Sequence, residues 1–576
     1  MLVYGDRETT SPTWAVLSEF RRLADALDGE PRGIVWHQAC VALFIAASGL
    51  AQGIADAEFA AAGHDAPSLS QSTLMTALQA VAHAVDRSWS SNFARQHAPD
   101  LSALSALAVD SLPEALTIRR CEGYAFYTLY PEQYLVAARA IPMGATVIGL
   151  RSIGTGLAAL VAAVCDAEFV CTVRPIGDVY ARTVAVGAEL KAIIHVRRRG
   201  VFALVDEGPG QSGSSLGGVA DYLEGVGVAR DRIIFLPSHA GDLGANAQLQ
   251  HRERWRTAIR LSVGFEEVFI DDAVRSLPTW FEDVTGRTIA PLSDLSGGRW
   301  RNVGPYADAS ADPVREARKY LLTTASGTYL LKFVGLHAEV ESKFAHAQRL
   351  YDAGSSPEPL ALRHGFLATR WMHAERVAST TEIWSVIAPY LKFRAKAFPA
   401  LAVGASLAEL LSAARYNVRQ AMGGAAEILF DAWPADRVAA LQLCVRPVQV
   451  DGRMHRWEWI ASRSSGVLKT DAVDHAQAHD LVGCQDIAWD VAGAVVEFAA
   501  SKVRCDLLVR SVLGESDDMA DLTALLTLCY LGFQIGWWDF AAEPGSADRQ
   551  RRFYTERVHA LLSQGRDGET SERSHQ

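Results

Sequence analysis

Residues 201–220 read VFALVDEGPGQSGSSLGGVA and put two acids between a hydrophobic strand and a loop of small residues. The strand is Val201–Val205, the acids are Asp206 and Glu207, and the loop is Gly208–Ser215. An apolar helix pattern follows from about Leu216. Backbone N–H groups at a helix start favour a phosphate. Glycine and serine let the backbone approach it closely. Paired acids at a strand end accept hydrogen bonds from ribose hydroxyls or hold Mg2+ through water. Taken together, these residue types in this order point to a site for a phosphorylated sugar.

The stretch resembles the phosphoribosyl-pyrophosphate motif of type I phosphoribosyltransferases, which is four apolar residues, two acids and a short Thr-Gly-x-Thr loop. Asp206 and Glu207 match the acids, and Ser212, Gly213, Ser214 and Ser215 match the phosphate loop. The linker Gly208–Gln211 is about one residue longer than the family pattern. The resemblance implies a second loop, after the first core strand, that holds pyrophosphate. Ala145–Ala163 supplies a strand, a turn and an apolar helix there, with Arg151, Ser152, Gly154 and Thr155 in the turn. It also implies a loop that closes over the substrate, for which Val173–Arg182 offers Arg174 and Arg182. A dinucleotide fingerprint does not fit, because Gly149, Gly154 and Gly156 have the wrong spacing and no acid ends a second strand about 20 residues on. No Gly-Lys-Ser/Thr of a Walker loop is present.

A second set of chemistry-bearing residues lies beyond residue 290 and resembles the aminoglycoside-phosphotransferase branch of the protein-kinase-like fold. Gly297-Gly298 stands where that family has a nucleotide-covering turn, and Lys332 is one lysine in the apolar strand Tyr329–Phe333. Glu341, in a helix read over Ala338–Tyr351, matches the glutamate that pairs with the lysine and holds it against the phosphates. Asp471, after the strand Gly466–Thr470, falls where the metal-binding Asp belongs, and Glu458 where a metal-binding Asn belongs. The catalytic Asp position aligns with Arg453, two residues from Asp451, so the resemblance implies either Asp451 as base or impaired transfer. Asp490 would brace that loop. His475 and His479, at i,i+4 with Asp471 and Asp474 nearby, are a rival transition-metal site if that stretch is a helix.

The elements that must position these residues are read from composition and period. The chain has 576 residues, 49% hydrophobic and 21% charged, with a net charge of −11. It is long enough for three or four domains. No basic stripe points to nucleic acid. Eight cysteines lack CxxC spacing, so free thiols in a reducing cytoplasm are expected. The start lacks the basic and apolar regions of a signal peptide. The apolar run Val41–Ala51 is too short to span a bilayer and reads as a buried helix. Residues 1–120 read as a helical region without a catalytic constellation. The aromatic stretch Cys121–Tyr134 fits either core packing or a base-stacking wall. From 140 to 260, strands at Ala145–Leu150, Phe169–Arg174, Ala192–Val196, Val201–Val205 and Arg232–Leu236 alternate with helices, which implies a mainly parallel sheet.

The expected architecture is therefore multidomain, α/β and α+β. A helical region (1–120) precedes a phosphoribosyltransferase-like unit (121–285), a kinase-like unit (290–560) and a disordered tail (561–576). The resemblances imply Mg2+, ATP and phosphoribosyl pyrophosphate as ligands. The expected activity is a ribose-phosphate transferase joined to a small-molecule kinase, or else a non-catalytic nucleotide sensor. The expected partners are nucleotides or sugar phosphates in the cytoplasm, without nucleic acid or membrane.

Overall fold

The computed structural model describes residues 1–5, 7–336, 340–378 and 380–573. Strand β1 (Glu8–Pro12) pairs antiparallel with β2 (Ala115–Arg119), and between them run helices α1 (Thr13–Ala26), α2 (Ile34–Ala62) and α3 (Leu69–Ser90). Ser68 caps α3 by accepting the Gln71 N–H at 3.0 Å, the usual start for a helix. The run expected to be a short buried helix is thus the middle of a 29-residue one.

Helix α4 (Pro131–Ala138) leads into the α/β unit. There β3 (Thr146–Leu150), α5 (Gly154–Val164), β4 (Phe169–Val173), β5 (Phe202–Val205), α6 (Ser214–Gly225), β6 (Ile233–Leu236) and β7 (Ile259–Arg260) build one parallel sheet of order β4-β3-β5-β6-β7. The period of two sorts its residues between two cores. Val147, Ala203 and Val205 face Phe44, Leu78, Val85 and Leu157, whereas Ile148, Phe202 and Leu204 face Leu216, Val219 and Trp255. The N-terminal helices therefore have no separate core; they are the cover of one sheet face. One strand expectation fails: Ala192–Val196 lies in a helix, Ala188–Arg197. Leu190 and Ile194 are its buried pair, four residues apart, and parallel β4 and β5 need such a crossover.

Helix α5 crosses β3 so closely that a Cβ on Gly149 would lie 2.2 Å from the Gly154 carbonyl and 2.7 Å from the Ala158 Cβ. Gly149→Ala is expected to destabilise the α/β unit by about 1–3 kcal/mol, the usual cost of overpacking. An unchanged denaturant midpoint would show that α5 can simply move away.

The remaining chain begins with an antiparallel sheet of β8 (Ser293–Asp294), β9 (Lys319–Thr324), β10 (Gly327–Phe333), then α7 (Val340–Asp352), β11 (Pro359–Arg363) and β12 (Phe366–Arg370), in order β8-β9-β10-β12-β11. Tyr329, Leu331 and Phe333 of β10 pack into the same core as α2 and α3, which turns the alternate residue Lys332 to the opposite face. Below the sheet lies a helical body with α8 (Leu407–Met422), the hairpin β13 (Trp459–Ser462) and β14 (Gly466–Lys469), α9 (Ala488–Glu497), α10 (Asp517–Asp539) and α11 (Pro544–Arg573). It has its own core around Leu410, Trp489, Leu525 and Tyr530. The backbone stays helical to Arg573, where composition pointed to a disordered tail from 561. Helices α2 and α10 are long and apolar enough to cross a membrane, but more than half of the most apolar stretch of each is buried inside the protein. All eight cysteines are free.

Candidate functional site

A cavity of about 380 Å³ opens between the antiparallel sheet and the helical body. Its walls carry Tyr306, Trp300, Trp371, Trp457 and Trp537, together with Phe126 and Tyr127 from the segment before α4. Within the aromatic stretch 121–134, Tyr124, Tyr130 and Tyr134 are core, while Phe126 and Tyr127 line the cavity.

Lys332 reaches across this cleft to the end of the β13–β14 hairpin. Its Nζ donates to Asp471 Oδ1 at 2.5 Å and lies 3.1 Å from Asp474 Oδ2. Burial alone would push the Lys332 ammonium toward neutrality, but the charges of Asp471 and Asp474 outweigh it and hold its pKa above the usual lysine range. Burial likewise opposes ionisation of Asp471, and the Lys332 charge overcomes it, holding Asp471 well below the carboxylate range. The expected Lys332–Glu341 pair does not form. Glu341 sits exposed on the first turn of α7, while Lys343 two residues on turns inward and donates to the Val334 carbonyl at 2.6 Å. Residues 337–339, the start of the helix as read from sequence, lie outside the described residues.

Asp451 is not at the cleft surface. It is fully buried, accepts from the Tyr390 hydroxyl, and lies 3.1 Å from Lys469 Nζ. A group so enclosed cannot reach a substrate hydroxyl, so the structure corrects its assignment as base. Its loop is braced by Asp490, which accepts the N–H of Asp451 at 2.7 Å and of Gly452 at 2.8 Å. Arg453 packs over Trp537, 4.8 Å from the ring centre. Glu458 is also engaged, accepting from Lys469 Nζ at 2.6 Å. Lys469 donates as well to the Asp471 carbonyl, so its ammonium sits among three protein oxygens with no exposure. Sequence reading missed Lys469. Its one local signal is its place in a strand two residues before Asp471.

Asp471, Asp474 and His475 bring one ligand atom each within 4.8 Å of one another. Two carboxylates on an open cleft suit Mg2+, whereas Glu458 is already satisfied by Lys469. The rival site needs a helix through His475 and His479, and the chain there makes only a short 3-10 turn, His475–Gln477. His479 instead stacks on Phe126 with centroids 5.4 Å apart and lies 3.0 Å from Glu122. His475 Nδ1 is 2.8 Å from the Asp451 carbonyl oxygen. A carbonyl only accepts, so Nδ1 carries a proton, and Nε2 faces the cleft acids, 3.7 Å from Asp471 Oδ1 and 3.8 Å from Asp474 Oδ1. Gly297 and Gly298 both have positive φ and shape the turn before Trp300, but Trp300 itself is what lines the cleft.

In the α/β unit, the two expected loops meet at the C-terminal ends of β3 and β5. That is the topological switch point of this strand order, where such sheets bind ligands. Gly213 takes φ +58° at the start of α6, and a Cβ on Gly154 would lie 2.7 Å from the Val205 carbonyl. Ser212 and Ser214 bond to each other at 3.0 Å, Ser214 also donates to the Val179 carbonyl, and Ser215 continues the first turn of α6. The expected pyrophosphate arginines are otherwise occupied. Arg151 is buried and paired with Asp56 at 2.9 Å and with Asp65, and Thr155 is buried with Arg151's turn residue Ser152 accepting its N–H. Arg174 pairs with Asp56 and donates its backbone N–H to Asp65. Arg182 makes a 3.4 Å bond to the Pro175 carbonyl and no ion pair among the described residues.

Asp206 and Glu207 are partly buried rather than exposed at the sheet edge. Burial raises Asp206 to about 7, and burial together with the Asp206 charge raises Glu207 to about 8. In the unfolded chain both titrate near about 4. Between those values the folded state binds more protons, so stability is expected to fall as pH rises from about 4 to about 8. Thermal melts at pH 5.5 and 8.5 should show this slope in the native chain and a flatter one in Asp206→Asn/Glu207→Gln. Identical slopes would remove these two acids as its source.

No protein-family model and no curated protein matches the chain. Part of it is similar to solved small-molecule kinases. Choline kinase LicA from Streptococcus pneumoniae is 14% identical over 42% of this chain and 89% of its own, with a TM-score of 0.30. The spectinomycin phosphotransferase APH(9)-Ia, solved with ADP and spectinomycin, is 12% identical over 49% and 93%, with a TM-score of 0.33. A type I macrolide 2'-phosphotransferase is 11% identical over 46% and 91%, with a TM-score of 0.31. Likenesses this low pass none of these proteins' activities to the present chain.

Proposed function

We propose that the cleft binds ATP with Mg2+ and transfers a phosphoryl group to a small hydroxylated molecule. The observation that carries this reading is Lys332 facing Asp471 and Asp474 across an aromatic cavity. A strand lysine opposite a hairpin-end acid is the arrangement that clamps a nucleotide's phosphates. Asp471 and Asp474 would hold Mg2+, which supplies charge neutralisation on the phosphate oxygens. Lys332 would then exchange its acids for the phosphates. Phosphoryl transfer needs positioning and electrostatic stabilisation more than a strong base. His475, with its Nδ1 proton fixed on the Asp451 carbonyl, offers Nε2 to take the proton of the acceptor hydroxyl. Asp471→Asn is expected to weaken Mg2+-dependent ATP binding about 100-fold or more, in the range of lost metal-site partners. Titration calorimetry with and without Mg2+ measures this, and equal affinity in native and variant chains would reject the site.

A second reading is nucleotide binding without turnover. Lys469 occupies the space between Asp451 and Glu458, and Arg453 is stacked on Trp537 where the related enzymes' base is expected. ADP release in an acceptor panel separates the two readings. The α/β unit would bind a ribose phosphate such as phosphoribosyl pyrophosphate at its switch point, supported by Asp206, Glu207 and the Ser212–Ser215 turn. With Arg151 and Arg174 engaged by Asp56 and Asp65, that site would rely on backbone amides and Arg182.

A further inference from the structure

A second ligand-bearing cluster uses none of the residues of the two sites described above. His37 of α2, Glu132 of α4 and His364 of the β11–β12 turn meet with no exposure at all. His37 Nε2 is 2.6 Å and His364 Nε2 2.8 Å from the same carboxylate oxygen, Glu132 Oε1. The other carboxylate oxygen, Oε2, has no hydrogen-bond partner, and neither has Nδ1 of either imidazole. The rings of Trp89, Phe93 and Trp280 close the site. A carboxylate buried this deeply in an apolar wall is costly unless a positive charge balances it. A cation removes that cost: both Nε2 atoms converge on Glu132, and an ion bound there would release the Nε2 protons that now bond Oε1 and draw on the unpartnered Oε2. His364 is held in place for this. Its backbone takes φ +42°, its N–H donates to Gln38 Oε1 at 2.6 Å, and its carbonyl accepts the Tyr130 hydroxyl at 2.7 Å.

We infer that His37, Glu132 and His364 form a structural site for a transition-metal ion of the Zn2+ class. Two imidazoles and a carboxylate favour such an ion over Mg2+ or Ca2+. The site would tie the N-terminal helices, the entry to the α/β unit and the antiparallel sheet to one point.

The full chain, purified without a histidine tag, is expected to carry one equivalent of zinc by elemental analysis. Dialysis against a chelator should lower its melting temperature by roughly 5–10 °C, as expected for loss of a tightly bound ligand, and one equivalent of Zn2+ should restore it. Glu132→Gln should lose the ion, and Asp471→Asn/Asp474→Asn, which alters the cleft, should keep it. Co2+ in place of Zn2+ should give the visible bands of a four-coordinate site. X-ray absorption of the native chain should show two imidazoles at about 2.0 Å, a readout that survives if the variants do not fold. A native chain that binds no Zn2+ or Co2+ at micromolar concentration overturns the inference and leaves an imidazolium pair as the counter-charge. Metal that disappears with the cleft variant instead would also overturn it.

Discussion

Lys332→Met is expected to lower ATP affinity about 100-fold, because hydrogen bonds to charged groups each contribute about 1.5–3 kcal/mol and the ammonium can make more than one to the phosphates. Methionine keeps much of the volume in β10 and removes only the charge. The same change leaves Asp471 and Asp474 facing each other without the cation that holds both below their ordinary range. Those acids have depressed values in the folded chain, so their stabilisation is present above about pH 4 and is lost as pH falls below it. The stability gap between native and variant chains should therefore be full at pH 7 and shrink toward pH 3. Adding Asp474→Asn should recover part of the stability and none of the affinity. Lys332→Arg should keep the stability. Calorimetric titration of the three variants decides the matter. A Lys332→Met chain that binds ATP as the native chain does would mean that the lysine is only a structural counter-ion.

The sequence pattern carried the α/β unit well because its evidence is local. Thr146–Leu150 and Phe202–Val205 are fully buried strands ending in turns, and their edges fall within a residue of the expected ones. Lys332 and Asp471 were each legible as single residues at strand ends, but their direct pairing was not, because the expected partner of Lys332 was Glu341. What failed depended on partners far along the chain. Arg151 and Arg174 looked free for pyrophosphate, yet Asp56 and Asp65 reach them from 86 to 118 residues away. Asp451 looked like a base in a loop, and only Lys469, Tyr390 and Arg394 show it to be enclosed. The pair His475 and His479 has helical spacing, but the backbone turns after Gln477 and sends His479 to Glu122. Spacing gives distance along an element. It does not show whether the element continues, nor which charge another element brings to it.

Lys469→Met is expected to destabilise the helical body by about 3–5 kcal/mol, the usual cost of leaving a buried charge without its partner. The Lys469 side chain has no exposure, and all three of its N–H donors have an oxygen: Glu458, Asp451 and the Asp471 carbonyl. Burial would drive this ammonium toward neutrality, but Asp451 and Glu458 outweigh it and hold its pKa above the ordinary range. Its contribution is therefore present at neutral pH and is lost only as pH rises into the range where lysine deprotonates. Adding Asp451→Asn and Glu458→Gln to Lys469→Met removes the stranded charges and should restore much of the loss, whereas either acid variant alone should not. Denaturant midpoints of these four chains measure the cycle. The same residue also tests what the cleft can do. The ammonium stands among carboxylate and carbonyl oxygens of the kind that bind Mg2+. In Lys469→Ala the vacated volume and the freed acids should admit the ion, so millimolar Mg2+ should raise the melting temperature of this variant and leave that of the native chain unchanged. If Mg2+ stabilises both alike, the ammonium does not stand in the place of a metal, and the acids at Asp471 and Asp474 account for all binding. If it stabilises neither, Lys469 is a structural cation only, and Glu458 has no part in holding a metal.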